Sequence, residues 1–482
     1  MDGAQSERYP RVRMGSDQPS TLQLSDPAEP RSPRVACVHW LLGLPGGPVV
    51  ARFERARTVV GRSPDCDLTL EAAGVSRHHA EFFHEGPVCV VADIGSKNGI
   101  FVNGRPVSHA TLATGDVIRL GDALGVFASV TRADELARDG SDGARAYSAA
   151  RMAGSILVGD GMAAALRDLP EIAASSLPVV VFGETGVGKE RVAETIHRAS
   201  GRSGLLHAVN CAAIPENLAE AELFGHKKGA FTGAESAALG HFRAADNGTL
   251  FLDELQDLPR KVQALLLRVL QGGLVYPVGE TKPVAVDVRI VAASHSPLDE
   301  LVVTGRLRED LAMRLAGFAL RIPPLRERRL DVHSLLRHFL NLYAAEPEPP
   351  YEVHVRCLED LLLHDWPGNV RELELLVRRL LALAGRERVL AWHVLPDSIR
   401  RKPALAAPQS LIPTETRSAR DVAALREALR ACNGNIARAA VSAAISRQRA
   451  YRLMAGQSVA AFLEGTVDGS DSRSAADASD DE

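Results

Sequence analysis

PVVVFGETGVGKE, at Pro178–Glu190, decides how the rest of the chain is read. Pro178–Phe182 is a short apolar run suited to a buried strand, and Val192 and Ile196 beyond it fall on one helix face. Strand, glycine loop and helix in that order are the context a phosphate-binding loop requires. Gly183, Gly186 and Gly188 let backbone N–H groups turn toward phosphate, and the helix N-terminus adds partial positive charge. Lys189 would reach the β- and γ-phosphates, which makes Gly183, Glu184, Thr185, Gly186, Val187, Gly188, Lys189 and Glu190 the candidate nucleotide-binding residues. The hydroxyl residue that usually follows the lysine and meets magnesium is replaced by Glu190.

Downstream, Gly248–Glu254 reads GTLFLDE, an apolar strand ending in two acids. Asp253 would hold Mg2+ through water, and Glu254 would polarise an attacking water. Between loop and acids lies Gly229–Ala234, GAFTGA, where small residues let the backbone bend and present Phe231 and Thr232 at a tip.

These motifs, in this order, resemble the AAA+ ATPase domain of the bacterial enhancer-binding proteins, the sigma-54-dependent transcriptional activators. The GETGVGKE form with its glutamate is itself typical of them. The resemblance covers Ser155–Arg400, with a helical lid from about Arg326, and implies ATP and Mg2+ as cofactors. It implies that Gly229, Ala230, Phe231, Thr232, Gly233 and Ala234 contact sigma-54. By the same match Asn210, in VNCAA, holds the catalytic glutamate until the loop senses its target. Arg308 and Arg314, in LREDLAMRL, become arginine fingers acting on a neighbour's nucleotide, which implies a ring, in this family a hexamer. Arg371, in WPGNVREL, becomes the lid arginine that senses nucleotide. One position departs from the pattern: VRIVAASH resembles the sensor-1 strand, but Ser294-His295 replaces its usual Thr-Asn. Histidine still hydrogen-bonds water or phosphate, so an altered rate is expected.

The chain has 482 residues, too many for a single core, and about three domains are expected. The fold class expected is multidomain: an all-β sandwich, an α/β P-loop ATPase with helical lid, and a small all-α helix-turn-helix. Residues 1–33, rich in Pro, Ser and charge, read as disordered. Residues 35–131 alternate short apolar runs with turn signals such as Asn98-Gly99 and Asn103-Gly104, an all-β pattern. Within them GRS, SRHHAE and GSKNGIFVNG resemble the forkhead-associated (FHA) domain, which reads phosphothreonine. That match makes Arg62, Ser76, Arg77 and Asn98 the phosphopeptide residues, with Lys97 assisting and His79 bracing the loops.

Residues 132–154 and 401–415 read as linkers. In 416–457, LREALRACNGNIARAAVSAAISRQRAYRLM resembles the Fis-type helix-turn-helix, with Asn435 capping a helix. Arg447, Gln448, Arg449 and Arg452 would face DNA, although Ala443-Ala444 stands where the family has Leu-Gly. Thr416–Gln457 carries a charge of +6 and Glu464–Glu482 a charge of −6, so a basic module precedes an acidic tail, residues 458–482.

Composition, 46% apolar and 24% charged, is that of a soluble protein, and no apolar run reaches the ~18 residues of a membrane span. The N-terminus has no apolar signal-peptide stretch, and six scattered cysteines argue for a reducing, cytoplasmic setting with neither zinc site nor disulfides. The reading is a cytoplasmic transcriptional regulator acting on sigma-54 RNA polymerase, bound to upstream activator DNA and controlled by a phosphothreonine-containing protein, without membrane association. The alternative is a phosphopeptide-dependent DNA-binding scaffold with a slow or silent ATPase.

Overall fold

The computed structural model describes most of residues 34–131 and 162–401, and short stretches between 422 and 464. The expected disorder of 1–33, the 132–154 and 401–415 linkers, most of the acidic tail and the four DNA-facing residues lie outside the described residues. The chain divides into two compact units, Met1–Lys402 and Pro403–Glu482.

The first unit begins with a β-sandwich. One sheet has the order Val49–Phe53, Arg34–Leu42, Ala123–Thr131, Val117–Leu120, Ile100–Val102, Arg105–Val107. The facing sheet runs Leu68–Thr69, Arg57–Gly61, Ala80–Glu85, Val88–Asp93, His109–Leu112. Alternation puts one parity of each strand into the layer between the sheets, where Trp40, Phe82, Ile100, Ile118, Leu120 and Phe127 form the core. The strand Val117–Leu120 is buried on every residue. A strand in a two-layer sandwich is covered on one face only, so a further layer must lie on its other side.

The α/β part is a parallel five-stranded sheet in the order Leu206–Asn210, Thr249–Asp253, Arg289–Ser294, Val179–Phe182, Phe318–Arg321. Its central strands are buried on both faces, as parallel sheets flanked by helices are. Helix Lys189–Ser200 packs Val192, Ala193 and Ile196 against it and ends at Gly201, in the left-handed region at φ 66°. Three helices then form the lid: Arg329–Tyr343, Val355–Leu363 and Asn369–Leu383. Their core of Leu336, Leu358, Leu361, Leu362, Trp366 and Leu373 is continuous with Leu41, Val117, Leu124 and Val126 of the sandwich. The lid therefore supplies the layer that the strand Val117–Leu120 requires.

The second unit has its own small helical core, including Leu425, Leu429, Ala439, Ala440 and Met454. Asn435 Oδ1 accepts from Arg438 N at 3.1 Å, so the asparagine caps helix Ile436–Ser442 as its sequence context suggested. That core also takes in Phe462, from helix Val459–Glu464. The helical module thus extends past the 457 boundary read from the sequence, because an apolar VAAFL run precedes the acidic residues. Among the described residues no helix is long and apolar enough to cross a membrane.

Candidate functional site

Parallel register brings the chemistry to one edge. Asn210 lies opposite Asp253, and Phe182, the last residue before the glycine loop, lies opposite Ser294. The carboxyl ends of adjacent strands thus open onto one crevice, where α/β sheets bind ligands. Gly188, at φ 104°, starts the helix, and Lys189 is 7% exposed, with Nζ 2.8 Å from the Gly183 carbonyl. Burial lowers the Lys189 ammonium from its usual range, opposed by the nearby charges of Glu254 and Asp253. Asp253 is raised, first by burial and then by the neighbouring Glu254. Two adjacent carboxylates beside one buried cation form a site whose charges invite a further cation, and Asp253 fits a magnesium position.

Glu254 sits in the left-handed region at φ 54°, unusual for a side chain of its size. Its Oε2 accepts from Gln256 Nε2 at 2.6 Å and lies 2.8 Å from His295 Nε2. His295 Nδ1 is 3.4 Å from the Thr185 hydroxyl, so the histidine bridges the phosphate loop and the glutamate. Asn210, assigned to Glu254 by resemblance, has its Oδ1 accepting instead from Ala212 N at 3.0 Å. Gln256 was missed by sequence reading, although it follows the acidic pair by two positions in DELQD.

The lid closes on the loop through backbone-scale contacts. Asn369, fully buried at φ 52°, donates from Nδ2 to Glu184 Oε2 at 3.1 Å and to the Thr185 carbonyl at 3.0 Å. Val370 N donates to the Gly186 carbonyl at 2.9 Å. A Cβ at Gly186 would lie 2.4 Å from the Gly368 carbonyl, so this glycine is required by the lid as well as by its φ of 76°. The Arg326 guanidinium holds the Glu184 carboxyl down at about 2. Arg371 lies close enough to Lys189 to lower it further. Glu190 is exposed on the first turn of the helix.

Arg308 is half-buried and forks onto Asp310, at 3.0 and 2.7 Å. Arg314 donates from Nε and Nη2 to the Leu270 carbonyl, at 3.1 and 2.9 Å. The hexapeptide closes on itself, Gly229 N donating to the Ala234 carbonyl at 2.8 Å, with Gly229 at φ 80° and Gly233 at φ 98°. Ala234 is buried, Thr232 and Phe231 are exposed, and the Phe231 ring stands 5.0 Å from that of His226.

On the β-sandwich, three loops are knitted together. His79, fully buried and kept below its usual pKa chiefly by burial, accepts at Nδ1 from Ser76 N at 2.9 Å and meets the Gly99 carbonyl through Nε2 at 3.1 Å. Lys97 N donates to Ser76 Oγ at 3.0 Å, and Asn98 Nδ2 to the Gly74 carbonyl at 2.8 Å. Arg62, Arg77, Lys97 and Asn98 are exposed around them. Nearby, Asp65, Cys66 and His78 bring ligand atoms within 4.8 Å of one another, though burial raises the Cys66 thiol and its Sγ donates to the Arg77 carbonyl.

Residues 157–321 match the family model of the sigma-54 interaction domain, residues 326–411 that of the AAA+ ATPase lid domain, and residues 58–121 that of the FHA domain. The DNA-binding transcriptional regulator NtrC of Bradyrhizobium sp. (strain RP501 Parasponia) is 50% identical over 226 residues, 47% of each chain. The nitrogen fixation protein AnfA of Azotobacter vinelandii is 41% identical over 280 residues, 58% of this chain and 52% of that one. The solved structure of NtrX from Brucella abortus in complex with ADP is 30% identical, covers 67% of this chain and 75% of that one, and has a TM-score of 0.48. The chain spans about half the length of the curated relatives it matches. It carries a sigma-54 interaction domain with an AAA+ lid, preceded by an FHA domain.

Proposed function

We propose that this chain is a sigma-54-dependent transcriptional regulator that hydrolyses ATP to remodel the polymerase–sigma-54 closed complex. The observation that carries the reading is the meeting of Lys189, Asp253 and Glu254 at one sheet edge under the lid, in a domain that also exposes Phe231 and Thr232. Lys189 would draw the β- and γ-phosphates onto the loop, and Glu254 would take up the attacking water. Asp253 would hold magnesium through water, and the ion when bound would neutralise phosphate charge. Arg308 and Arg314 would serve a neighbouring protomer's nucleotide in a hexameric ring, exchanging their present partners for the γ-phosphate.

Recognition of a phosphothreonine protein is proposed for Arg62, Ser76, Arg77, Lys97 and Asn98. The pre-set loops support it, with an arginine and a hydroxyl for the dianion and an amide for the peptide backbone. Binding to upstream DNA through Arg447, Gln448, Arg449 and Arg452 is supported by the +6 charge of Thr416–Gln457. Steady-state ATP turnover together with in vitro transcription by sigma-54 polymerase tests the reading: both are expected, and open-complex formation without ATP hydrolysis would sink it. One observation favours a second reading, a phosphopeptide-dependent scaffold with a slow ATPase. Both Gln256 and His295 engage Glu254, so the carboxylate must give up a partner before it can take a water. Turnover near zero with phosphopeptide and DNA binding intact would select it.

A further inference from the structure

The FHA sandwich and the lid share more than proximity. On the strand Val117–Leu120, Ile118 and Leu120 face the sandwich core while Val117 joins the lid core, so the next residue of that outer parity, Arg119, points the same way. Arg119 Nε donates to Glu359 Oε2 at 2.9 Å, the two side chains being 9% and 3% exposed. Arg356 Nε lies 3.6 Å from the same carboxylate, and the Arg119 guanidinium stacks 3.8 Å from the centre of the Phe101 ring. A buried ion pair costs much of what it gains in desolvation, so its clearest contribution is a fixed register between the surfaces that hold it.

A second pair of contacts carries that register to the nucleotide loop. Arg329 Nη1 donates to the Gly115 carbonyl of the sandwich at 2.8 Å, while its neighbour Arg328 donates from Nη2 to the Val187 carbonyl of the phosphate loop at 2.9 Å. Two consecutive residues at the start of one lid helix therefore hold the two domains. From the other side, the strand Ile100–Val102 begins two residues after Asn98 and carries Phe101, the ring beneath Arg119.

We propose that occupancy of the phosphothreonine loops is read by the ATPase through this docked face, from Asn98 by way of Phe101, Arg119 and Glu359 to the lid, and from the lid to Gly183–Lys189. The proposal rests on the phosphothreonine reading of the sandwich loops. In it the FHA domain is a rigid extension of the lid. Arg119 and Glu359 are positioning residues, touching neither ligand.

Coupling between two binding sites is reciprocal, so a phosphopeptide that alters nucleotide affinity must have its own affinity altered by the same factor. The test titrates the full chain with a degenerate phosphothreonine peptide mixture, with and without a non-hydrolysable ATP analogue and magnesium, and then titrates the analogue with and without the peptides. The unphosphorylated mixture is the control. The wild-type chain is expected to show the same factor in both directions, in the range of about 5- to 150-fold. Arg119→Met/Glu359→Met, which removes both charges together, is expected to bind each ligand separately as the wild type does, with coupling reduced to less than about twofold. Should that variant fold poorly, Arg329→Gln breaks the half-buried Gly115 contact and is expected to reduce coupling in part. Phosphopeptide binding without coupling in the wild type, or full coupling in both variants, overturns the proposal. Failure of the phosphopeptide to bind at all overturns the phosphothreonine reading beneath it, a different and distinguishable result.

Discussion

The two sites proposed for phosphate are built in opposite ways. Around Lys189 the cation is buried, two carboxylates stand beside it, and the lid's Asn369 holds the loop. Around Arg62 the charged groups are exposed and only the scaffold beneath them, His79, is buried. The first arrangement places charge where water is scarce and electrostatic effects on a reacting group are large. The second keeps its arginines solvated and invests in loop geometry, which suits recognition without chemistry.

The largest contrast should come from removing charge at the buried site. Lys189→Ala is expected to abolish nucleotide binding, while Glu254→Gln keeps binding and loses about 10²–10⁴-fold in turnover; both leave phosphopeptide affinity measured without nucleotide unchanged. Equal turnover in Glu254→Gln and wild type would remove Glu254 from the mechanism. At the exposed site the loss is smaller. Arg62→Ala should weaken a phosphothreonine peptide by about 1.5–3 kcal/mol, roughly 10- to 150-fold, with ATP turnover intact. Calorimetry giving similar affinity for phosphorylated and plain peptides would make the sandwich a scaffold.

His79 sharpens the comparison from beneath. Its removal leaves Ser76 N and the Gly99 carbonyl without their partner, so His79→Ala should cost the sandwich about 1–3 kcal/mol. The sign of its pH term follows from burial, which keeps native His79 neutral below its usual pKa. The unfolded chain takes up a proton near pH 6.5 while the native one resists, so stability falls as pH drops through that value toward the native pKa. The gap between the melts of wild type and His79→Gln should therefore be widest above pH 6.5 and narrow as pH falls below it. The smallest effect is expected at His295→Asn, which shortens one of the two side chains that engage Glu254. Turnover should rise by less than about tenfold, since the shorter amide can still hydrogen-bond nearby and the net change is that of an ordinary hydrogen bond; a hundredfold fall would make His295 an essential part of the site.

Much of the nucleotide site was legible because its residues sit at strand ends. Once Pro178–Phe182 and Thr249–Asp253 are read as parallel strands, Lys189 and Asp253 must meet. Asn369 and Gln256 were not legible, since their roles depend on a lid closing from far along the chain and on a strained backbone at Glu254. The docking of sandwich on lid was hidden for a different reason. An arginine in VIRL reads as the solvent face of an edge sheet, and only the covered strand reveals that Arg119 lies buried against Glu359. The regulatory meaning of Phe231 and Thr232 came from resemblance, and the structure adds that they stand exposed at a self-closed loop.

The central claim is that hydrolysis at Lys189 and Glu254 is spent on sigma-54 through that loop, and Thr232→Ala tests it most directly. Pull-down of sigma-54 with a transition-state nucleotide analogue and a turnover assay should be run on the same preparation, with Phe231→Ala alongside. The account predicts ATP turnover near the wild-type rate with sigma-54 capture lost; retained capture with impaired turnover would contradict it.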